Sequence, residues 1–520
     1  MKAAILKKVR VFLSLLFFIL TSFLFVDFAG IFSARLIRAI LYLQFIPSLL
    51  EFLRTTTLAA AGFLFILAIT FLFGRLYCSS VCPLGTLFDL MLWIRNRTYR
   101  KKKFRFNKDP WFLRYGMLII AVLILLSGNL LMFNLLDPFG LSGKVFSNLL
   151  RPAYYTGNNL LGWFLKLFDN YYFYPVPVKF VHLSSVLISS GLLTIFILLA
   201  VFRGRLYCNT LCPVGSILGL ASKCSVYKIS IDPRHCTSCG LCIRDCKAEC
   251  IDAGGMKIDF SRCIACFNCM IACPEGGIKY QLRFRREEPG IIKPDRTFNE
   301  KRRQFLKTAV LGTSAILIGK AAFSNSNPKS VSQYPVTPPG SISIWHYSEL
   351  CISCHLCVSE CPTHVLQPTL AEFGLDGLFQ PAMDYHTSYC NFECVRCSEI
   401  CPSGAISAVA KEQKETIQIG ISTFIRNLCV VVTNHTTCGA CSEHCPTKAV
   451  EMVPYLGDLK IPQVDEKICI GCGACEYACP TKPEKAIYVE SNLYHRKAQK
   501  PLKKVQDQEK PKKTSEDFPF

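Results

Sequence analysis

The chain has 520 residues, 51% of them hydrophobic and only 18% charged, with a positive mean hydropathy of +0.30. That balance excludes disordered and fibrous classes and places part of the chain in a bilayer. Its 30 cysteines exceed ordinary usage, but a small disulfide-stapled fold does not run to this length, so cysteine is expected to serve as a ligand. The formal net charge of +22 would suit a nucleic-acid binder. Its placement fits a membrane-orientation signal better, and no nucleic-acid partner is expected.

Four apolar stretches are near the length needed to cross a hydrocarbon core about 30 Å thick. They run from Val11 to Val26, Leu58 to Phe73, Met117 to Leu136 and Val186 to Phe202. The first follows Lys7, Lys8 and Arg10, as a signal peptide would, but no small-residue cleavage site follows it, so it reads as a retained helix. The strongly basic segment Arg95 to Lys108 belongs on the cytoplasmic side. The aromatic-rich loop from Asp137 to Lys179 belongs outside. This topology puts the N-terminus and everything just after the fourth stretch inside.

A duplicated motif closes the second and fourth stretches. Gly74-Arg75-Leu76-Tyr77-Cys78 leads into Cys82-Pro83-Leu84-Gly85, and Gly204-Arg205-Leu206-Tyr207-Cys208 leads into Cys212-Pro213-Val214-Gly215. The membrane part therefore reads as two copies of a two-helix hairpin. Cys78, Cys82, Cys208 and Cys212 either ligate metal, exchange electrons as dithiols, or simply pack, and the spacing leaves these open.

The strongest chemical signal is C-x2-C-x2-C-x3-C, which offers three thiolates to one iron–sulfur cube and a fourth to its neighbour. Regular quartets are Cys236, Cys239, Cys242, Cys246; Cys263, Cys266, Cys269, Cys273; Cys351, Cys354, Cys357, Cys361; and Cys469, Cys472, Cys475, Cys479. Two looser ones are Cys390, Cys394, Cys397, Cys401 and Cys429, Cys438, Cys441, Cys445. Structural zinc sites use paired knuckles without this third and fourth spacing, so six [4Fe–4S] clusters are expected. By the crossover rule Cys236, Cys239, Cys242 and Cys273 hold one cluster, and Cys263, Cys266, Cys269 and Cys246 the next. For the four later quartets a nested pairing is expected, first with fourth and second with third, because the two irregular ones are the middle two. Cys224 and Cys250 are left unassigned.

Between the two cysteine blocks, Lys301-Arg302-Arg303-Gln304-Phe305-Leu306-Lys307 precedes an apolar run from Thr308 to Phe323. Twin arginines before such a run look like a twin-arginine export signal, the alternative being an ordinary basic anchor flank. That route carries folded, cluster-loaded domains, so the twin-arginine translocase is an expected partner during biogenesis. The sequence thus predicts a membrane α-helical bundle of four spans plus a fifth linking span, with two ferredoxin-like α+β iron–sulfur domains. The expected boundaries are 1–225 for the membrane domain and 226–285 for a cytoplasmic two-cluster domain. Residues 286–323 form the linker with the fifth span, 324–340 a flexible linker, 341–490 a periplasmic four-cluster domain, and 491–520 a basic disordered tail.

These parts match a known pair of proteins. The membrane portion with two C-x3-C-P motifs and two quartets resembles the NapH-type membrane component of periplasmic nitrate reduction. The portion from the twin arginines onward resembles its NapG-type exported polyferredoxin, so the whole reads as a head-to-tail fusion. The resemblance implies a multi-pass inner-membrane protein that oxidises quinol from the membrane pool and passes electrons to a periplasmic reductase or c-type cytochrome. Cys246-Lys247 departs from the usual Cys-Pro junction. A quinol site needs a proton acceptor beside an apolar slot, for which Asp137 and His182 are the candidates. Asp137-Pro138 is also a plain turn start, and His182 an ordinary interfacial polar residue. Arg75 and Arg205 are candidates for contacting a quinone carbonyl or for anchoring helix ends. Two other functions fit the same residues: a maturation factor supplying electrons to a metalloenzyme, and a carrier fed by a cytoplasmic reductant.

Overall fold

The computed structural model describes residues 2–27, 31–57, 61–98, 104–106, 111–126, 130–169, 171–176, 183–252, 257–283, 334–370, 372–374 and 377–500. The N-terminal part is helical: α1 (Lys2–Val26), α2 (Ala34–Tyr42), α3 (Phe45–Thr55), α4 (Gly62–Phe73), α5 (Tyr77–Ser80), α6 (Pro83–Thr98), α7 (Trp111–Leu126), α8 (Leu131–Leu136), α9 (Pro138–Val145), α10 (Arg151–Lys166), α11 (Leu183–Arg203), α12 (Leu206–Thr210) and α13 (Pro213–Lys223).

The duplicated motif acts as a helix breaker. Gly74 at φ +81° and Gly204 at φ +60° end α4 and α11 in the left-handed region that glycine enters without strain. The chain then turns inward through α5 or α12. Pro83 and Pro213 restart it at the first positions of α6 and α13, where a missing N–H costs nothing.

Among the described residues two helices are long and apolar enough to span a membrane, Ala3–Val26 and Ser185–Arg203. A third span exists if α2 and α3, bent at 102°, count as one. The expected second and third spans are instead the 12-residue α4 and the 16-residue α7, the latter followed by the separate α8. α4 ends where expected, at Phe73 before Gly74, and its described helix begins only at Gly62. The α2–α3 pair escaped the sequence reading because Arg35, Arg38, Glu51 and Arg54 interrupt its apolar run.

Each cysteine block is built from short helices and two-stranded antiparallel sheets. In the first, β1 (Tyr227–Ile231) pairs with β4 (Ile278–Leu282), and β2 (Ile251–Asp252) with β3 (Lys257–Ile258). In the second, β5 (Leu366–Pro368) pairs with β6 (Pro381–Met383), β7 (Ile417–Phe424) with β10 (Ile487–Lys497), and β8 (Val450–Leu456) with β9 (Leu459–Val464). This second module is larger than the sequence boundaries allow. β10 continues to Lys497, and the His495 amide donates to Ile342 O at 2.8 Å, so the tail does not begin at 491. At the other edge, Met383 N donates to Val336 O at 2.9 Å, which takes part of the expected 324–340 linker into the module. The twin-arginine motif, the expected fifth span and the end of the tail lie outside the described residues.

The two modules meet opposite ends of α1. Lys7 lies within electrostatic reach of Cys266 and Asp245 of the first module. Phe25, fully buried, packs on Phe139 and Phe146 at ring distances of 5.9 Å, beside the Cys354 backbone of the second. Eighteen helical residues separate Lys7 from Phe25, roughly 27 Å along the axis. Arg151 fixes the second docking: Nη1 donates to Val358 O at 3.1 Å and Nη2 to Ser359 O at 2.8 Å.

Candidate iron–sulfur centres

In the first module Cys236, Cys239, Cys242 and Cys273 line one small cavity, the crossover set that the spacing implies. Cys246, Cys263, Cys266 and Cys269 form the second set, each within electrostatic reach of others of the four. Positive backbone angles at Ser238, Ala265 and Phe267 curl the loops so that successive thiols face one point. Cys250, without a role in the sequence, is buried with its Sγ 3.6 Å from that of Cys246, and its thiol also bonds Cys263.

The second module corrects the nested pairing. Cys351, Cys354 and Cys357 gather with Cys401, while Cys390, Cys394 and Cys397 gather with Cys361. Cys469, Cys472 and Cys475 likewise take Cys445, and Cys429, Cys438, Cys441 and Cys479 share one core. Quartets therefore pair consecutively, because the helices Leu356–Glu360 and Arg396–Ile400 pack side by side, as do Ala440–Glu443 and Ala474–Ala478. Burial pushes the Cys351 thiol up to about 12 and the Cys390 thiol up to about 11. Unassisted they stay protonated at neutral pH, whereas a bound metal holds such sulfurs as thiolates. No three His, Cys, Asp or Glu side chains among the described residues stand close enough to grip a single metal ion. Soft, all-sulfur sets that face a shared space fit a cluster, whose ligands are spread over several irons.

Between the modules the two membrane motifs interlock. Arg75 Nη2 donates to Cys208 O at 2.9 Å and Arg205 Nη1 to Cys78 O at 2.8 Å, a reciprocal exchange between the repeats. Cys78 and Cys82 are not on one continuous helix, since α5 ends at Ser80, and the same holds for Cys208 and Cys212. The breaks nevertheless bring all four buried thiols within electrostatic reach of one another. Gly85 and Gly215 permit this: a Cβ there would sit 2.3 Å from Cys78 O and 2.1 Å from Cys208 O. Arg75 and Arg205 are fully buried, and their terminal guanidinium nitrogens are directed at protein acceptors, so neither presents them to a quinone.

The charge around this centre is lopsided. Arg10, Arg205 and Lys247 all converge on Asp89, at 3.1, 2.8 and 3.1 Å. Arg75 adds a fourth cation, its buried Nε without an acceptor among the described residues and its Nη2 3.7 Å from Cys78 Sγ. One carboxylate does not balance four buried or half-buried cations, and unpaired buried charge is costly. Metal-bound thiolates would supply the missing negative charge.

Towards the Phe25 end, Tyr207 Oη donates to Leu136 O at 2.8 Å, next to Asp137. Asp137 caps α9, accepting from Phe139 N at 3.2 Å and Gly140 N at 2.7 Å, so its carboxylate is a structural cap rather than an open proton acceptor. His182 lies outside the described residues. Residues the sequence reading missed here are Asp89, Gly143, Lys144 and His355. Gly143 approaches Cys354 O so closely that a Cβ would lie 2.3 Å away, and Lys144 is within electrostatic reach of Cys351 and Cys354. A glycine in α9 carries no motif, so nothing local marked it.

Comparisons with known proteins agree with this geometry. A 4Fe-4S binding domain model matches residues 55–103 and 186–231, the two halves that hold the C-x3-C-P motifs. A 4Fe-4S dicluster domain model matches 436–482, and another 4Fe-4S binding domain model matches 344–367. An uncharacterized protein of Methanocaldococcus jannaschii is 25% identical over 219 residues, 41% of this chain and 67% of that protein. The putative electron transport protein YccM of Escherichia coli is 23% identical over 242 residues, 45% of this chain and 58% of its own length. The ferredoxin-type protein NapH of Haemophilus influenzae is 23% identical over 224 residues, 41% of this chain and 63% of its own. The chain thus spans about three-fifths of YccM and NapH. Cysteine sets, apolar helices and relatives together support an iron–sulfur electron-transfer protein that is similar to NapH-type membrane ferredoxins.

Proposed function

We propose that the chain passes electrons from membrane quinol through six [4Fe–4S] clusters to a periplasmic oxidoreductase such as a reductase or c-type cytochrome. One observation carries this reading: ligand sets for clusters occupy both ends of α1, with four buried thiols between them. When bound, each cluster takes up and releases one electron. A quinol gives two electrons and two protons, so two single-electron acceptors are needed per turnover. The chain's own residues hold the ligand loops, shield them from water and dock the second module through Arg151, Gly143 and Phe25. In this reading the bundle is multi-pass in the bacterial inner membrane. The 226–283 module faces the cytoplasm, and the 334–500 module is exported by the twin-arginine translocase.

A second reading, feeding by a cytoplasmic reductant, is favoured by continuity at the other end. Arg75 Nη1 donates to Ser261 O at 2.9 Å, two residues from Cys263, while its Nη2 reaches Cys208 O. Anaerobic reduction of the purified protein, followed by EPR, separates the two. Reduction of the second-module centres by a quinol analogue alone supports quinol oxidation. Reduction only by a low-potential ferredoxin or flavodoxin overturns it in favour of the second reading.

A further inference from the structure

A cavity of about 290 Å³ lies where α9 and α11 meet the second module. That is close to the lower end of small-molecule sites, roughly 300–1,000 Å³. Its walls are apolar, with Leu141 and Leu192 among them, and its far end is polar, with Lys144, Asn148, Ser189 and His355. The mouth lies on the face of α11 that carries Gly191 and Ile195, both exposed on an apolar helix long enough to span the bilayer. A ligand dissolved in hydrocarbon can enter there sideways. A water-soluble metabolite would have to cross the lipid-facing wall.

The polar end is built to meet oxygen atoms. The Lys144 ammonium, buried, donates to Asn134 O at 2.9 Å and to Asn134 Oδ1 at 2.8 Å and stands 5.1 Å from the Phe379 ring centre. It has no third oxygen or nitrogen acceptor among the described residues, so a guest oxygen can take its third N–H. Asn148 Nδ2 donates to Ser189 Oγ at 2.9 Å, so the amide keeps a second N–H. His355 is the neighbour of Cys354 in the chain. Its ring is fixed by Phe379 O at 2.9 Å and Ser147 Oγ at 3.3 Å. An occupant of this cavity therefore lies beside the set Cys351, Cys354, Cys357 and Cys401.

We infer that this cavity binds the ring of a lipid-borne quinone or quinol, with the isoprenoid tail leaving past Gly191 into the bilayer. The inference rests on the quinol reading above and replaces Asp137 and His182 as the place where the ring sits. It asks for three properties at once: lateral access from lipid, an apolar slot of ring size, and hydrogen-bond donors beside a cluster ligand set. The cavity has all three.

Gly191 supplies the test, because a Cβ built there meets nothing within 4 Å. Gly191→Leu fills the mouth without touching a ligand loop and improves helix propensity. Gly157→Leu, on α10 and equally open, is the control. The full chain is placed in phosphatidylcholine nanodiscs, and binding of a decyl-tailed benzoquinone and of menaquinone-1 is measured by calorimetry. Cluster reduction by the matching quinols is followed in parallel. Expected is binding in the unaltered protein and in Gly157→Leu. In Gly191→Leu, affinity and the quinol-driven rate should fall at least tenfold, with iron content and dithionite-reduced EPR spectrum unchanged. If quinol reduces the clusters equally well in Gly191→Leu, the location is wrong while the quinol reading stands. If the unaltered protein neither binds these quinones nor is reduced by their quinols, the quinol reading fails and takes this site with it.

Discussion

Arg75 donates to the carbonyl oxygen of Cys208 at 2.9 Å, and it does so from the opposite repeat. Arg205 returns the contact to Cys78, so each motif is completed by the other. The same Arg75 side chain reaches Asn209 Oδ1 and Ser261 O, both at 2.9 Å. One planar guanidinium thus ties the two membrane halves to each other and to the first iron–sulfur module, a geometry that lysine cannot copy.

Arg75→Met strands the buried Cys208 carbonyl and the Asn209 amide oxygen, each at about 1–3 kcal/mol. The expected loss is about 3–5 kcal/mol in all, typical of breaking a buried charged network. Arg75→Lys should recover only part of it. Thermal inactivation of the detergent-solubilised protein measures both, and an unchanged midpoint for Arg75→Met would contradict the interlock.

Consecutive pairing makes a spectroscopic prediction. Cys401→Ser and Cys354→Ser fall in one ligand set, so they should perturb the same EPR signal, and Cys361→Ser should perturb the one lost with Cys394→Ser. Nested pairing would instead couple Cys401 with Cys438. Comparing the four spectra of the reduced variants decides between them.

Gly143→Val should separate the second module from the bundle, since even a Cβ there would stand 2.3 Å from Cys354 O and 2.9 Å from the Phe25 ring. No ligand is removed, so iron content should stay near that of the unaltered protein. Quinol-driven reduction of the second module should drop at least tenfold. Parallel iron analysis and stopped-flow reduction check this, and unchanged kinetics would show that the contact is dispensable.

His495 gives the second module a pH dependence. Its half-buried ring meets Thr337 Oγ1 at 2.9 Å, and desolvation lowers its pKa from 6.5 to about 4. The unfolded state binds the proton first, so stability from this group is full above pH 6.5 and falls as pH drops towards 4, by up to about 3 kcal/mol. His495→Gln keeps a neutral side chain and should flatten the slope over that window. Denaturant midpoints between pH 7 and 5, read from cluster absorbance, measure the difference between the two proteins.

Much of the chemistry was legible from the chain because ligand spacing is local. Three thiolates two residues apart, such as Cys263, Cys266 and Cys269, define a cluster loop whatever surrounds it. Their crossover partner in the first module was equally legible, since only two quartets are present there. Pairing among the later four was not, because four quartets allow several pairings and helix packing chooses one. Asp137 shows a different kind of failure: an acidic residue before proline serves equally as a proton acceptor or a helix cap, and only its two backbone partners decide.

Composition, the glycine and proline punctuation of the repeated motif and the cysteine intervals determined by themselves that this is a membrane protein carrying thiolate-bound iron. Those features act over a few residues, where backbone geometry and ligand reach leave little choice. Tertiary structure alone decided that Cys78 and Cys208 share a centre 130 residues apart in the chain. It also decided that Gly143 lies against Cys354, and that Lys144, Ser189 and His355 end one cavity. Such contacts arise from how helix faces pack, and no interval along the chain encodes the crossing of two helices that are distant in it.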